Sequence, residues 1–254
     1  MKTILQALVC WLLVGSVALA QQWADLSGQF LYDGTPPKPR PLKITKDVNV
    51  FGDKMLVDES LVVGPEGGLA NVVIYLTKPR KVSIHPGLKG ELPKQVVVDN
   101  KDGRFVPRIA TVWIGVQKLT YKNSDPVSHN CNCQPFNDTP ANPLLPPGGT
   151  FEHMLSFSQF VPVPVTCNIH PWMKGYVLPR SNPYMAVSDK QGRFTIRKLP
   201  AGVELEFRLW QEKVGYLRDV EVAGQKAKRG RFKITLKPGK NDLGQIRVPP
   251  ELFK

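Results

Sequence analysis

Short runs in which every second residue is apolar recur along the whole chain. Val203, Leu205, Phe207 and Leu209 alternate with Glu204, Glu206 and Arg208, and Phe232, Ile234 and Leu236 alternate with Arg231, Lys233 and Thr235. Leu119 and Tyr121 sit in the same way between Lys118, Thr120 and Lys122. A period of two marks a strand with one buried and one solvated face. No sustained 3.6-residue pattern appears, and 24 prolines and 21 glycines punctuate the runs. The pattern therefore predicts an all-β protein. Breaks are expected at Thr35–Pro39, in the Pro/Gly/Asn-rich stretch Asn137–Thr150, and at Pro179–Pro183, which reads as a hinge between two units.

The first twenty residues differ from the rest. Lys2 is their only charge, Ile4 to Val17 is almost wholly apolar, and Ala18-Leu19-Ala20 is a small-residue cleavage site. This reads as a secretory signal peptide cut before Gln21; an uncleaved anchor is the rival, against which the shortness of the run counts. Cleavage removes Lys2 and Cys10, taking the formal charge from +13 to +12 and the cysteines from four to three. An odd number in an export compartment leaves at least one thiol over, free or as a ligand. The remaining 234 residues suffice for one large β domain or two ordinary ones, and none of their apolar runs is long enough to span a bilayer. The positive charge favours an acidic partner, either a redox protein or an anionic surface polymer, over a neutral one. Nucleic acid is not expected for an exported chain. The expected location is the periplasm or the cell surface.

The candidate chemistry lies in Cys167-Asn168-Ile169-His170-Pro171-Trp172-Met173, between strands expected at Val161–Thr166 and Lys174–Leu178. One thiolate, one imidazole and one thioether sit on a tight loop, and His129, after the turn residues Asn123-Ser124-Asp125-Pro126, can add a second imidazole. Two His and one Cys with a weak axial Met is the ligand set of blue-copper electron-transfer sites. Against it stand a chance pair on a surface loop and a structural zinc site. Zinc rarely takes Met and would need Cys131 or Cys133 as its fourth ligand.

The Cys-x2-His-x2-Met loop resembles that of the cupredoxins, most closely the amicyanin type, and His129-Asn130 is similar to the His-Asn pair of that family. The resemblance covers residues 100–185. It implies a Greek-key β-sandwich holding one copper ion on His129, Cys167, His170 and Met173. It also implies that the Asn130 side chain ties the two ligand-bearing segments together. The electron would leave through an exposed edge of His170, with Pro171 and Trp172 in the apolar contact patch; Trp172 could equally pack against the second unit. Cys131 and Cys133 depart from the family pattern. They read as small buried thiols in place of aliphatics, or as a modified or second copper site or a redox dithiol. Two residues apart on one strand, they are poorly placed for a disulfide. His85 and His153 read as lone, half-exposed histidines.

Asp189-x-x-Gly192-x-Phe194, Leu199-Pro200-Ala201-Gly202 and Gly215-Tyr216 resemble the carboxypeptidase regulatory-like, or transthyretin-like, β-sandwich. Its opening strands would be Gly28–Gly34 and Ala70–Leu76. The implied organisation is a split sandwich, residues 26–80 plus 186–249, with the cupredoxin unit inserted; a single elaborated cupredoxin is the alternative. The whole is similar to bacterial exported proteins of the methylamine-utilisation or plastocyanin-like group. Three functions remain in view: electron transfer, copper storage or delivery, and a structural or adhesive role with a non-redox metal. No Ser-His-Asp set, phosphate loop or carboxylate pair suggests an enzyme.

Overall fold

The computed structural model describes residues 21–77 and 82–254, so the leader assigned to residues 1–20 lies outside the described residues. The chain is nearly all β, and its larger sheets form two facing pairs around two separate apolar cores. Among the described residues no helix is long and apolar enough to cross a membrane.

The outer pair uses both ends of the chain. Strand β1 (Trp23–Tyr32) lies between β14 (Arg193–Pro200), antiparallel, and β20 (Gly239–Val248), parallel. Facing it, β2 (Val73–Leu76) lies between β13 (Met185–Val187) and β15 (Glu204–Gln211), with β19 (Arg231–Thr235) pairing on β15 as well. The alternation in the sequence places Leu205, Phe207 and Leu209 in this core, opposite Phe30 and Ile196. Val203 is the exception: it lies in the turn before β15 and is exposed. The Asp-x-x-Gly-x-Phe motif is a turn whose reason is visible. Asp189 Oδ1 accepts the N–H groups of Gln191 (2.9 Å) and Arg193 (2.8 Å). Gly192 has φ +76°, and a Cβ there would lie 2.0 Å from the Phe30 carbonyl oxygen.

The inner pair is built from the middle of the chain. One sheet runs in the order β10 (Thr150–His153), β6 (Lys118–Asn123), β3 (Gln95–Lys101), β4 (Arg104–Val106). The other runs β5 (Ile109–Trp113), β12 (Lys174–Arg180), β11 (Val163–Thr166), β8 (Asn132–Cys133). Its core holds Val98, Phe105, Tyr121, Val165 and Val177. The short strands β7 (His129–Asn130) and β9 (Leu144–Leu145) pair at one end, so the stretch Asn137–Thr150 contains a strand where only a loop was expected.

The two sandwiches share a seam. Tyr176 and Leu178 on the outward face of β12 pack with Val73, Tyr75 and Trp210 of the outer unit. Buried on both faces, β12 reads as a continuous run rather than an alternating one. The break expected at Pro179–Pro183 begins later, because β12 continues through Pro179 and Arg180 and only residues 181–183 bend between it and β13. The Arg180 guanidinium is buried in the seam and donates to the carbonyls of Leu76 (2.7 Å) and Gln159 (2.9 Å). A buried charge that satisfies backbone acceptors on two units holds them together.

Between β1 and β2 the chain makes a long excursion over the inner sandwich. This arm closes at its base through Leu42 N–H to the Leu56 carbonyl (2.9 Å) and Asp58 N–H to the Arg40 carbonyl (2.8 Å). Its tip is the short helix α1 (Val48–Phe51). Ion pairs of Lys54 with Asp102, and of Glu59 with Arg104 (3.2 Å) and Arg108 (3.6 Å), fasten it down. Gly103, at φ +66°, leaves room for Phe51 and Leu56 to sit on the β3–β4 turn.

Because Gly192 meets backbone rather than a movable side chain, Gly192→Ala is expected to cost about 3 kcal/mol or more of stability, read by urea unfolding.

Candidate metal centre

His129 is placed by β7, and the other residues by the loop between β11 and β12. The loop is wound tightly: Met173 N–H donates to the His170 carbonyl (2.9 Å), and His170 N–H donates to Cys167 Sγ (3.4 Å). This folding brings three donors together. His129 Nδ1 and His170 Nδ1 are 3.0 Å apart, and Cys167 Sγ is 3.9 Å from the first and 3.7 Å from the second. All three residues are buried. Met173 is buried on the same loop, in the same core cluster as Cys167.

Asn130 joins the two segments. Its Oδ1 accepts the N–H groups of Asn168 (2.8 Å) and Ile169 (3.3 Å) and lies 3.4 Å from Cys167 Sγ, while its amide donates to Asn142 Oδ1 (2.6 Å).

Each imidazole is oriented by a carboxylate on its far nitrogen. His129 Nε2 lies 3.1 Å from Asp125 Oδ2, and His170 Nε2 lies 2.8 Å from Asp47 Oδ2. A carboxylate there accepts the Nε2–H and leaves the Nδ1 lone pair facing inward, the arrangement that orients metal-ligating histidines. Asp125 is itself fixed by the N–H groups of Asp102 (2.6 Å) and Gly103 (3.0 Å). Burial alone would raise its carboxyl, but the hydrogen bond from His129 and these N–H groups hold it below the usual range.

Protonation follows the same geometry. Burial would raise the Cys167 thiol, but hydrogen bonds from His129 and from backbone N–H groups outweigh it, and the thiol titrates below its ordinary value. Burial would lower His129, but Asp125 and Cys167 push it up to about 9. His170 is lowered by burial and by the neighbouring His129, against the pull of Asp47.

These residues fit a first-row metal ion. A point equidistant from the three donor atoms, the circumcentre of a triangle with those sides, lies about 2.1 Å from each, matching bonds of roughly 2.0–2.3 Å from imidazole and thiolate to a metal such as zinc. Two imidazoles and a thiolate in a triangle, with a Met nearby, suit copper better than zinc.

Cys131 and Cys133 stand apart from this cluster. Both are free, fully buried and packed in the inner core. Burial pushes their thiols up to about 12 and about 11, and Cys131 Sγ accepts the Asn100 amide (3.3 Å). Both side chains fill the inner core as small residues do.

Three expectations are corrected. The edge of His170 is not exposed: the residue is 0% accessible, covered by Asp47 and by the Phe51 ring, 5.2 Å from it edge-on. Of the two places expected for Trp172, the open patch is corrected and packing against the second unit is found: it donates to the Gly103 carbonyl (3.1 Å) and meets Phe51 of the outer sandwich's arm edge-on. His153 is buried rather than half-exposed, with Nε2 donating to the Thr139 carbonyl (2.7 Å) and Nδ1 facing the Tyr121 hydroxyl (3.3 Å). His85 is partly buried, its Nδ1 accepting the Gly87 N–H (3.0 Å). Sequence reasoning missed Asp47, Phe51 and Asp125. Asp125 stands four residues before His129 and was read only as a turn; Asp47, 123 residues from His170, gives no local signal.

No family model and no curated protein matches the chain. Solved structures that do match include a purple cupredoxin from Nitrosopumilus maritimus, 26% identical over 35% of this chain and 100% of that one, with TM-score 0.29. The copper-containing nitrite reductase of Thermus scotoductus SA-01 is 20% identical over 35% of this chain and 23% of that one, TM-score 0.32. Amicyanin from Paracoccus versutus is 17% identical over 42% and 97%, TM-score 0.30.

If Asn130 supports the loop, Asn130→Ala should weaken metal binding about 10–100-fold by competition titration. The double variant Cys131→Ala/Cys133→Ala is expected to bind as many metal ions per chain as the parent, by elemental analysis.

Proposed function

We propose that the chain is an exported electron-transfer protein with one type 1 copper ion held by His129, Cys167, His170 and Met173. The observation that carries the reading is the buried triangle of two inward-facing Nδ1 atoms and a Cys167 sulfur of lowered pKa, on a loop that also holds Met173. Bound there, copper supplies a one-electron Cu(II)/Cu(I) couple, and mixed imidazole and sulfur donors suit both states. The protein's part is to hold the donors so that neither state demands rearrangement. Asn130 fixes the loop against β7, and Asp125 and Asp47 fix the two rings.

The surroundings do not favour catalysis. The cavity beside Met173 and Trp172 measures about 30 Å³, room for about one water and not for a substrate. The sequence's excess of positive charge suits an acidic redox partner, and its apolar leader with Ala-x-Ala suits export to the periplasm or cell surface. The outer sandwich, with its Asp-x-x-Gly-x-Phe turn, fits a carboxypeptidase regulatory-like module split by insertion of the copper-binding one. The covered His170 favours a second reading, a non-redox structural metal, over storage or delivery, which needs a labile site.

The deciding experiment is a visible absorption and EPR spectrum of residues 21–254 loaded with Cu(II). An intense thiolate-to-copper band with narrow hyperfine splitting is expected; an ordinary tetragonal Cu(II) spectrum would overturn the assignment. Cys167→Ser is expected to abolish the band. Met173→Leu is expected to keep copper and raise the reduction potential, measured by redox titration, because a donor that helps Cu(II) is lost.

A further inference from the structure

The His170 ring belongs to the inner sandwich, but what covers it does not. The arm between β1 and β2 comes from the outer sandwich and sets two side chains on the site. Asp47 Oδ2 takes the outer nitrogen of His170 at 2.8 Å. The buried Phe51 ring stands 5.2 Å from His170, 6.1 Å from His129 and 6.0 Å from Trp172, so one aromatic side chain closes the space between both imidazoles and the loop. The cover is braced from several sides. Lys54 pairs with Asp102, Glu59 pairs with Arg104 and Arg108, and the Gly103 backbone leaves the hollow that Phe51 and Leu56 fill. The turn is bounded by two non-glycine residues in the left-handed region, Asp47 (φ 45°) and Met55 (φ 46°). Such a conformation persists only where its surroundings over-determine it. Met55 is 88% exposed, so its own side chain contributes nothing to that bracing.

We propose that the arm completes the metal centre: Asp47 is the positioning residue for His170, and Phe51 is the seal that governs access to the ring. This rests on the copper reading above and goes beyond it, since it makes the outer sandwich a working part of the site. Three consequences follow from the chemistry. A carboxylate on Nε2–H fixes the ring and makes Nδ1 a stronger donor, which favours Cu(II) and lowers the potential. Excluding water and small ligands from the ring edge slows loss of the metal. An electron partner meets the arm rather than a bare imidazole.

The test compares the full exported chain with Asp47→Asn, Asp47→Glu, Asp47→Ala and Phe51→Ala, each checked for folding by circular dichroism. In the metal-free proteins, modification of His170 by diethylpyrocarbonate is followed by mass spectrometry. His170 is expected to be protected in the parent and to react at least tenfold faster in Phe51→Ala. In the copper-loaded proteins, extraction of Cu(I) by bathocuproine disulfonate should accelerate at least tenfold in Phe51→Ala and Asp47→Ala, with Asp47→Glu returning towards the parent. Asp47→Asn, which keeps the size and removes the charge, should raise the reduction potential and leave the visible band in place. Parent His170 that reacts as fast as in Phe51→Ala, or extraction rates and potentials unchanged across the set, would overturn the proposal. If Phe51→Ala does not fold, the Asp47 series decides it. A parent that takes up no copper defeats the copper reading alone, because the reactivity of His170 still reports on the cover.

Discussion

Two imidazole lone pairs and a sulfur of lowered pKa, buried 3.0 to 3.9 Å apart, repel one another unless a cation lies among them. Holding them there costs free energy, and the inner sandwich is arranged to meet that cost. Asn130 Oδ1 pins the loop N–H groups to β7. Asp125, gripped by the β3–β4 turn, and Asp47, brought by the arm, each turn a ring so that its Nδ1 faces inward. In the metal-free chain a proton on the raised His129 relieves part of the repulsion. A metal ion held by His129, Cys167 and His170 would supply the cation that offsets the rest.

The second sandwich is bound into this arrangement from two directions. On one side, Tyr75 and Trp210 pack against β12, the strand that leaves the ligand loop, and Arg180 satisfies carbonyls on both sides of the seam. On the other side, the arm reaches back over His170. The loop is therefore held at its exit by the seam and at its outer edge by the cover. Movement of one unit relative to the other would be felt at the metal.

Much of the inner site was legible because its parts are close in sequence. Cys167, His170 and Met173 share one short loop, and the neighbouring His129-Asn130 pair supplies both the second imidazole and the tie. The strands around them were legible for a related reason: a half-buried strand alternates, as at Leu205, Phe207 and Leu209. Where a strand is buried on both faces the alternation is lost, and β12 was accordingly misjudged at Pro179 and Arg180 as the start of a hinge. The roles of Cys131 and Cys133 stood open between core residues and extra ligands. Packing favours the first, because both are buried in the inner core with raised thiols and neither is one of the three converging donors.

The sequence by itself determined the all-β character, the turn built on Asp189 and Gly192, and the Cys167-His170-Met173 part of the candidate donor set, since each depends on residues a few positions apart; His129, 38 residues from Cys167, entered through the resemblance of His129-Asn130 to a family pattern. Only the tertiary structure decided that His170 is sealed rather than exposed. Asp47 and Phe51 lie more than a hundred residues upstream in a stretch with no periodicity of its own. Their contact with the ring exists because a long excursion from one sandwich folds onto the other, a contact set by packing and ion pairs across the whole molecule and by no local pattern.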